Sequence, residues 1–91
     1  MSEPYILVLM PGAVRSLETK MKPGVAFAML EFLNGPVCDN PQRLGKPLAE
    51  PFLGLMSARR GQYRAVYRID DQAHRVLVIA VEHRADVYRP R

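Results

Sequence analysis

The sequence predicts one α+β domain in which a mainly antiparallel four-stranded sheet is covered on one face by a helical hairpin. A β-rich run begins the chain, two segments with helical spacing of apolar residues follow, and three strand-like segments come last. Only short turns separate those last three segments, which favours an antiparallel meander. The predicted order is β-α-α-β-β-β, a two-layer sandwich. At 91 residues, the chain is long enough for one domain, so residues 1–91 are treated as a single unit.

The first third of the chain supplies the first strand and both helices. Residues 5–10 are large, apolar and partly β-branched, and a proline-glycine pair follows them. Val14, Leu17 and Met21 recur with helical spacing, which predicts the first helix. A second helix is predicted over residues 23–33, because proline stands in its first turn and Asn-Gly-Pro at its end.

The rest of the chain is predicted to form a loop, three strands and a tail. Residues 34–51 are rich in proline and glycine and are expected to form a loop. Strands are predicted over residues 52–58, 63–69 and 75–81, the last apolar on both faces and therefore central. Alternation in the middle strand places Arg64, Val66 and Arg68 together on the more open face. Residues 82–91 are expected to be a short polar tail.

The positive charge is concentrated in the C-terminal part of the chain. Residues 1–56 carry five basic and five acidic side chains, whereas residues 57–91 carry eight basic and four acidic ones. All eight of those basic residues are arginines, whose planar guanidinium group matches phosphate oxygens. The imbalance favours a phosphate-rich or acidic partner, although a solvated basic face that keeps the protein soluble explains the charge alone equally well.

Several function classes receive little support from the sequence. Two histidines and the single Cys38 show no metal-ligand spacing, and no glycine-rich phosphate loop is present. No metal and no cofactor is therefore expected. One cysteine allows no internal disulfide, and no apolar run approaches the roughly 20 residues of a membrane helix. The start of the chain also lacks the features of a signal peptide, so a soluble cytoplasmic protein without membrane contact is expected.

One set of residues suits the cleavage of RNA by its own 2′-hydroxyl group. It comprises Arg59, Arg60, Arg64, Arg68, His83, Arg84 and Tyr88. In that reaction the RNA supplies the nucleophile, so the protein has to orient the attack, stabilise charge on the phosphate and move two protons. Arginines suit the phosphate, and histidine changes charge near neutral pH. Ordinary exposed arginines and a histidine at a strand end remain the alternative interpretation.

Three segments form a recognisable pattern: residues 43–48, residues 53–71 with the block Ser-Ala-Arg-Arg-Gly-Gln-Tyr-Arg-Ala-Val-Tyr, and residues 83–89 with His-Arg-Ala-Asp-Val-Tyr-Arg. With these segments the chain resembles the RelE/ParE toxin superfamily, and most closely its RelE branch as found in actinobacteria. The resemblance implies the toxin of a type II toxin–antitoxin system, which cuts mRNA in the ribosomal A site without a metal and so stops translation and growth. It also implies a cognate RelB- or Phd-like antitoxin, and operator DNA as a partner only through the toxin–antitoxin complex.

The resemblance assigns roles by position. Arg64 matches the strand arginine at the scissile phosphate, Arg84 a later phosphate-stabilising arginine, and Tyr88 a tyrosine that orients or activates the 2′-hydroxyl group. His83 is expected to share the proton transfer with Tyr88. The expected RNA- and ribosome-binding residues are Arg59, Arg60, Arg68, Lys46 and Arg89.

The chain also departs from the family pattern. Well-known RelE toxins carry two lysines on the strand before the arginine block, where this chain has Leu55 and Ser57. The general base is therefore open, and His83, Glu50 or another group would have to serve. Two other functions stay possible on the same fold: a ParE-like toxin that inhibits gyrase, and a degenerate toxin that only binds its antitoxin as a co-repressor.

Overall fold

A five-stranded mixed sheet forms the centre of the computed structural model, which describes residues 3–87. The strands are β1 (Ile6–Leu9), β2 (Lys46–Pro47), β3 (Met56–Arg60), β4 (Tyr63–Asp70) and β5 (Arg75–His83). Their order across the sheet is β1-β5-β4-β3-β2. β1 runs parallel to β5, and all other neighbours are antiparallel. The predicted α+β class and the mainly antiparallel sheet are confirmed, and β5 is central as its apolar sequence predicted.

Helices connect β1 to the meander. α1 (Pro11–Thr19) and α2 (Pro23–Phe32) each have proline near the first turn, where the missing N–H group is not needed. A π-helical turn (Leu33–Val37) continues α2, and α3 (Pro41–Leu44) and α4 (Arg84–Val87) are single turns. No helix in residues 3–87 is long and apolar enough to cross a membrane.

Four sequence predictions need correction. The sheet has five strands rather than four, because Lys46 and Pro47 pair with β3 at the sheet edge. Proline is compatible with that position, since an edge strand leaves one side without ladder partners. Residues 34–51 are therefore not a plain loop, and they also contain the π-helical turn and α3. The strand predicted over residues 52–58 is shifted to Met56–Arg60, and residues 82–87 extend β5 and form α4 instead of a tail.

The core lies between the sheet and the helices. α1 contributes Ala13 and Leu17, α2 contributes Met29, and the π-helical turn contributes Leu33 and Val37. The sheet supplies its helix-facing side chains, which are Ala58, Ala65, Tyr67, Val76, Val78 and Val81. These residues define which face of each strand is covered, and their neighbours in sequence lie on the opposite face.

Tyr67 fixes the segment between the helices and the meander. Its side chain is fully buried, and its hydroxyl group donates a 2.7 Å hydrogen bond to the backbone carbonyl oxygen of Pro41 in α3. Burial, with a smaller contribution from Cys38, raises the pKa of Tyr67 to about 12. Gly45 packs against this ring so closely that a Cβ atom there would overlap the Tyr67 hydroxyl group. The segment from Pro41 to Gly45 is thus held in place by its contacts with Tyr67 in β4.

Candidate functional site

Three charged side chains form one row across the face of the sheet opposite the core. Arg59 in β3 pairs with Arg64 in β4, and Arg64 pairs with Glu82 in β5. Directly opposed residues have Cβ atoms about 5 Å apart and share a face. Arg59 is exposed, and the other two are half-buried. We call Arg59, Arg64 and Glu82 the charged row, and the face that carries it the open face.

The neighbouring row on the open face consists of small side chains. Ser57 pairs with Val66, which pairs with Ala80, and Lys46 of β2 stands beside Ser57 at the sheet edge. Arg68 follows on β4, exposed and opposite Leu77. Val66 is buried, and Ser57 and Ala80 are half-buried. This floor of Ser57, Val66 and Ala80 lies between Arg68 and the charged row, with Lys46 at the sheet edge.

Arg64 carries an unusual unsatisfied group. Its Nε atom is buried and has no hydrogen-bond partner among residues 3–87. A buried donor without an acceptor costs about 1–3 kcal/mol, and more when the group is charged. A phosphate oxygen bound on the open face would supply the missing acceptor and a counter-charge at once.

His83 does not lie on the open face with Arg64. It pairs with Tyr63, whose side chain packs against the core, and the two rings meet edge to face with centroids 5.1 Å apart and an interplanar angle of 89°. The Nδ1 atom of His83 accepts a 3.1 Å hydrogen bond from the backbone N–H of Ala85. The ring therefore holds the start of α4 against the end of the sheet.

An irregularity in β5 explains this placement. The register of β4 and β5 shifts between Val66, which pairs with Ala80, and Tyr67, which pairs with Val78. Ile79 has no partner in β4, as in a β-bulge. Val76 and Val78 face the core before the bulge, and Val81 faces it afterwards. Glu82, rather than His83, consequently shares a face with Arg64.

The remaining predicted residues are distributed around this centre. Arg84 is exposed at the first position of α4, and its backbone N–H donates a 2.7 Å hydrogen bond to the carbonyl oxygen of Gln62 in the β3–β4 turn. Arg60 pairs with Tyr63 and is exposed on the side opposite Arg59. Glu50 is exposed in the segment before β3. Tyr88 and Arg89 lie outside the described residues.

The structure thus brings together Arg59, Arg64, Arg68 and Lys46 on the open face, and it separates Arg60 and His83 from them. Sequence analysis missed Glu82, because it ended the last strand at residue 81 and placed Glu82 in a tail. Unbroken alternation would not have revealed it either, since the bulge changes the phase of the strand. Ser57, one of the two residues that stand where relatives carry lysines, lies on the open face beside Lys46. Its hydroxyl group cannot take the place of a lysine in proton transfer at neutral pH.

Comparison with known proteins agrees with this architecture. Residues 27–88 match the family described as the ParE toxin of the type II toxin–antitoxin system parDE. The chain is 46% identical to Toxin RelE of Mycobacterium tuberculosis over 86 residues, which are 94% of this chain and 88% of that protein. It is 44% identical to Toxin RelG of the same organism, with coverage of 94% and 98%.

Solved structures support the same relationship. The crystal structure of the toxin–antitoxin complex RelBE2 from M. tuberculosis contains a chain that superposes with a TM-score of 0.85 at 41% identity, covering 90% of this chain and 100% of that one. The isolated Escherichia coli RelE toxin shares the fold, with a TM-score of 0.70 at 22% identity and coverage of 87% and 83%. The chain belongs to the RelE/ParE family of type II toxin–antitoxin toxins, and within it to the RelE branch.

Proposed function

We propose that this toxin cuts mRNA in the ribosomal A site by directing the 2′-hydroxyl group of the RNA at the adjacent phosphate. The observation that carries the proposal is Arg64, whose buried Nε atom has no acceptor on a face bordered by Lys46, Arg59 and Arg68. An oxygen of the scissile phosphate would accept a hydrogen bond from that nitrogen. The reaction needs no protein nucleophile, in accordance with a chain whose single cysteine is buried.

The chemistry assigns each group a task. The 2′-oxygen loses its proton and bonds to phosphorus, the bond from phosphorus to the 5′-oxygen breaks, and the leaving oxygen gains a proton. Arg64 and Arg84 stabilise the negative charge that builds up on the phosphate oxygens. Tyr88 orients the 2′-hydroxyl group. The proposed reaction needs no metal ion at the phosphate, because arginines supply the positive charge there.

The proton transfers require a group on the open face, and His83 lies on the other side of the sheet. We therefore assign His83 a positioning role in place of the proton transfer expected from the sequence. Its contacts with Tyr63 and with the amide of Ala85 hold α4, and so hold Arg84 in place. Binding of RNA and ribosome is assigned to Arg59, Arg68 and Lys46 on the open face, and to Arg60 and Arg89 outside it.

A cognate antitoxin is the expected protein partner. Related toxins were crystallised with their antitoxins, in RelBE2 of M. tuberculosis and in the intact E. coli RelBE complex. We propose that a RelB-like antitoxin neutralises this toxin and carries it to operator DNA as a complex.

Expression of the toxin alone tests the function. Growth should stop together with protein synthesis, and sequencing of RNA ends should show cuts inside coding regions of translated messages. An Arg64→Ala variant expressed at the same level is the inactive control. DNA breaks with intact messages would replace this function with gyrase inhibition, which the family description naming ParE keeps as the second candidate.

A further inference from the structure

We infer that the carboxylate of Glu82 is the general base that removes the proton from the 2′-hydroxyl group in the RNA cleavage proposed above, and the inference rests on that proposed function. In this step a Glu82 oxygen accepts the proton as the 2′-oxygen bonds to phosphorus. The 5′-oxygen then leaves and takes a proton from a water molecule.

Placement is the first argument. Glu82 is directly opposite Arg64 on the open face, so its Cβ atom lies about 5 Å from that of the arginine assigned to the phosphate. A ribose 2′-hydroxyl group is attached close to the phosphate that it attacks. A residue next to the phosphate-binding arginine is therefore within reach of both reacting atoms.

Elimination among the described residues is the second argument. Around the floor of Ser57, Val66 and Ala80, the open face carries Arg59, Arg64, Arg68 and Lys46 as its other charged groups. The second carboxylate of this face, Asp70, lies opposite Arg75 at the far end of β4, six residues from Arg64. Arginine and lysine side chains carry hydrogen-bond donors and no acceptor, whereas a carboxylate has oxygens that can accept a proton. Glu50 lies in the segment before β3 and His83 on the other face.

The alternative is that Glu82 only neutralises the two arginines of the charged row. Arginines directly opposite each other repel, and a carboxylate beside them relieves part of that repulsion. Among the described residues, the Nε atom of Arg64 nevertheless has no hydrogen-bond partner, so Glu82 does not bind it. The half-buried carboxylate of Glu82 is therefore not engaged with that nitrogen and can accept a proton.

The test is single-turnover cleavage of mRNA on programmed ribosomes. Glu82→Gln keeps the shape and removes the base, so we expect a rate at least about 100-fold lower and loss of the acidic limb of the pH–rate profile. Glu31→Gln, which changes an exposed glutamate on α2, is the matched control and should cleave like the wild type. Chemical denaturation of each variant shows whether the fold is intact.

Chemical rescue separates a base from a charge-neutralising residue. Glu82→Ala leaves room for a small carboxylate, so sodium formate should restore cleavage in proportion to its concentration, while Glu82→Gln should not respond. If the wild type cleaves and Glu82→Gln cleaves equally fast, the inference is overturned and the proposed function stands. The same holds if the wild type cleaves and formate does not rescue Glu82→Ala. Faster cleavage by Glu82→Gln would likewise show that the carboxylate only opposes phosphate binding. Failure of the wild type to cleave would remove the proposed function itself.

Discussion

Arg64 combines partial burial with an unsatisfied donor, an arrangement that contributes nothing to stability by itself. Surface arginines ordinarily extend into water, where every N–H group finds an acceptor. Here the Nε atom is buried without one. The desolvation of that nitrogen is already complete before a ligand arrives, so an incoming phosphate meets a preorganised charge. This makes Arg64 the most informative single position for mutation.

Arg64→Ala and Arg84→Ala should each slow cleavage about 100- to 1,000-fold, because each removes one preorganised charge from the transition state. Their free energy of unfolding should change little, and Arg64→Ala should be slightly stabilising because it removes the unsatisfied donor. Arg75→Ala, an exposed arginine at the opposite end of β5, is the matched control. Wild-type rates for both site variants on programmed ribosomes would contradict the assignment.

His83 gives a second prediction at this scale. His83→Gln removes the ring contact with Tyr63 and weakens the hold on α4, so cleavage should slow. Because we assign the proton transfer to another group, the shape of the pH–rate profile between about pH 5.5 and 8.5 should not change. A variant that loses the limb near neutral pH would restore His83 as the base.

Sequence reasoning placed the arginines of the open face better than it placed Glu82. The alternation of β4 alone placed Arg64, Val66 and Arg68 on one face, and the register agrees with it. The position of Glu82 depends on a register shift in the neighbouring strand. A bulge is produced by pairing between strands, so alternation within one strand does not encode it.

Among the elements, the segment from the π-helical turn to β2 departs most from the sequence prediction. Its prolines and glycines predicted a loop, and short helical turns and an edge strand formed instead. The Tyr67 hydroxyl group, which lies 26 residues along the chain from Pro41, supplies the bond that orders α3. Tertiary contacts of this kind override local propensity, and no local pattern announces them.

Tyr67→Phe should lower the free energy of unfolding by about 1–3 kcal/mol, because the buried carbonyl oxygen of Pro41 loses its donor. Tyr5→Phe, which removes an exposed hydrogen bond to Asp71, is the control and should cost less than about 1 kcal/mol. Chemical denaturation measures both. Equal losses in the two variants would contradict the role given to the buried bond.

The raised pKa of Tyr67 adds a pH dependence to this comparison. Folding favours the neutral phenol, so its contribution to stability is complete below pH 10.0, the ordinary value, and is lost as pH rises towards about 12. The wild type should therefore lose stability over that range more steeply than Tyr67→Phe. Parallel curves would show that the buried phenol does not set the alkaline limit.

At the scale of the whole molecule, charge and architecture divide the chain in the same place. The net charge of +4 belongs entirely to residues 57–91, which include β3, β4, β5 and α4, whereas α1, α2, the π-helical turn and α3 come from the neutral part. Among the described residues, the meander carries Arg59, Arg60, Arg64, Arg68 and Arg75. The charge distribution along the sequence predicted this asymmetry. Because β3, β4 and β5 are neighbours in the sheet, their arginines lie close together in the structure.

Antitoxin capture should depend on this surface. An acidic or amphipathic partner should associate at least about tenfold more slowly at high than at low salt, because ions screen steering by the arginines. Arg59→Gln should lower the low-salt rate more than Arg75→Gln, which removes the same charge at the far end of β5. Stopped-flow mixing measures these rates, and a rate that is independent of salt would show that the charge has no part in capture.

The unpaired Ile79 also affects how residues of this toxin are matched to those of its relatives. Val76 and Val78 face the core, so unbroken alternation along β5 would also place Ala80 and Glu82 on the core face. Val81 and His83 would then share the face of Arg64. Counting backward from the start of α4 at Arg84, the observed pairing assigns Glu82 instead. A sequence alignment that places a gap on the wrong side of Ile79 would therefore transfer the role of Glu82 to its neighbour His83. A relative without the extra residue of this bulge would present a different side chain to the arginine that corresponds to Arg64.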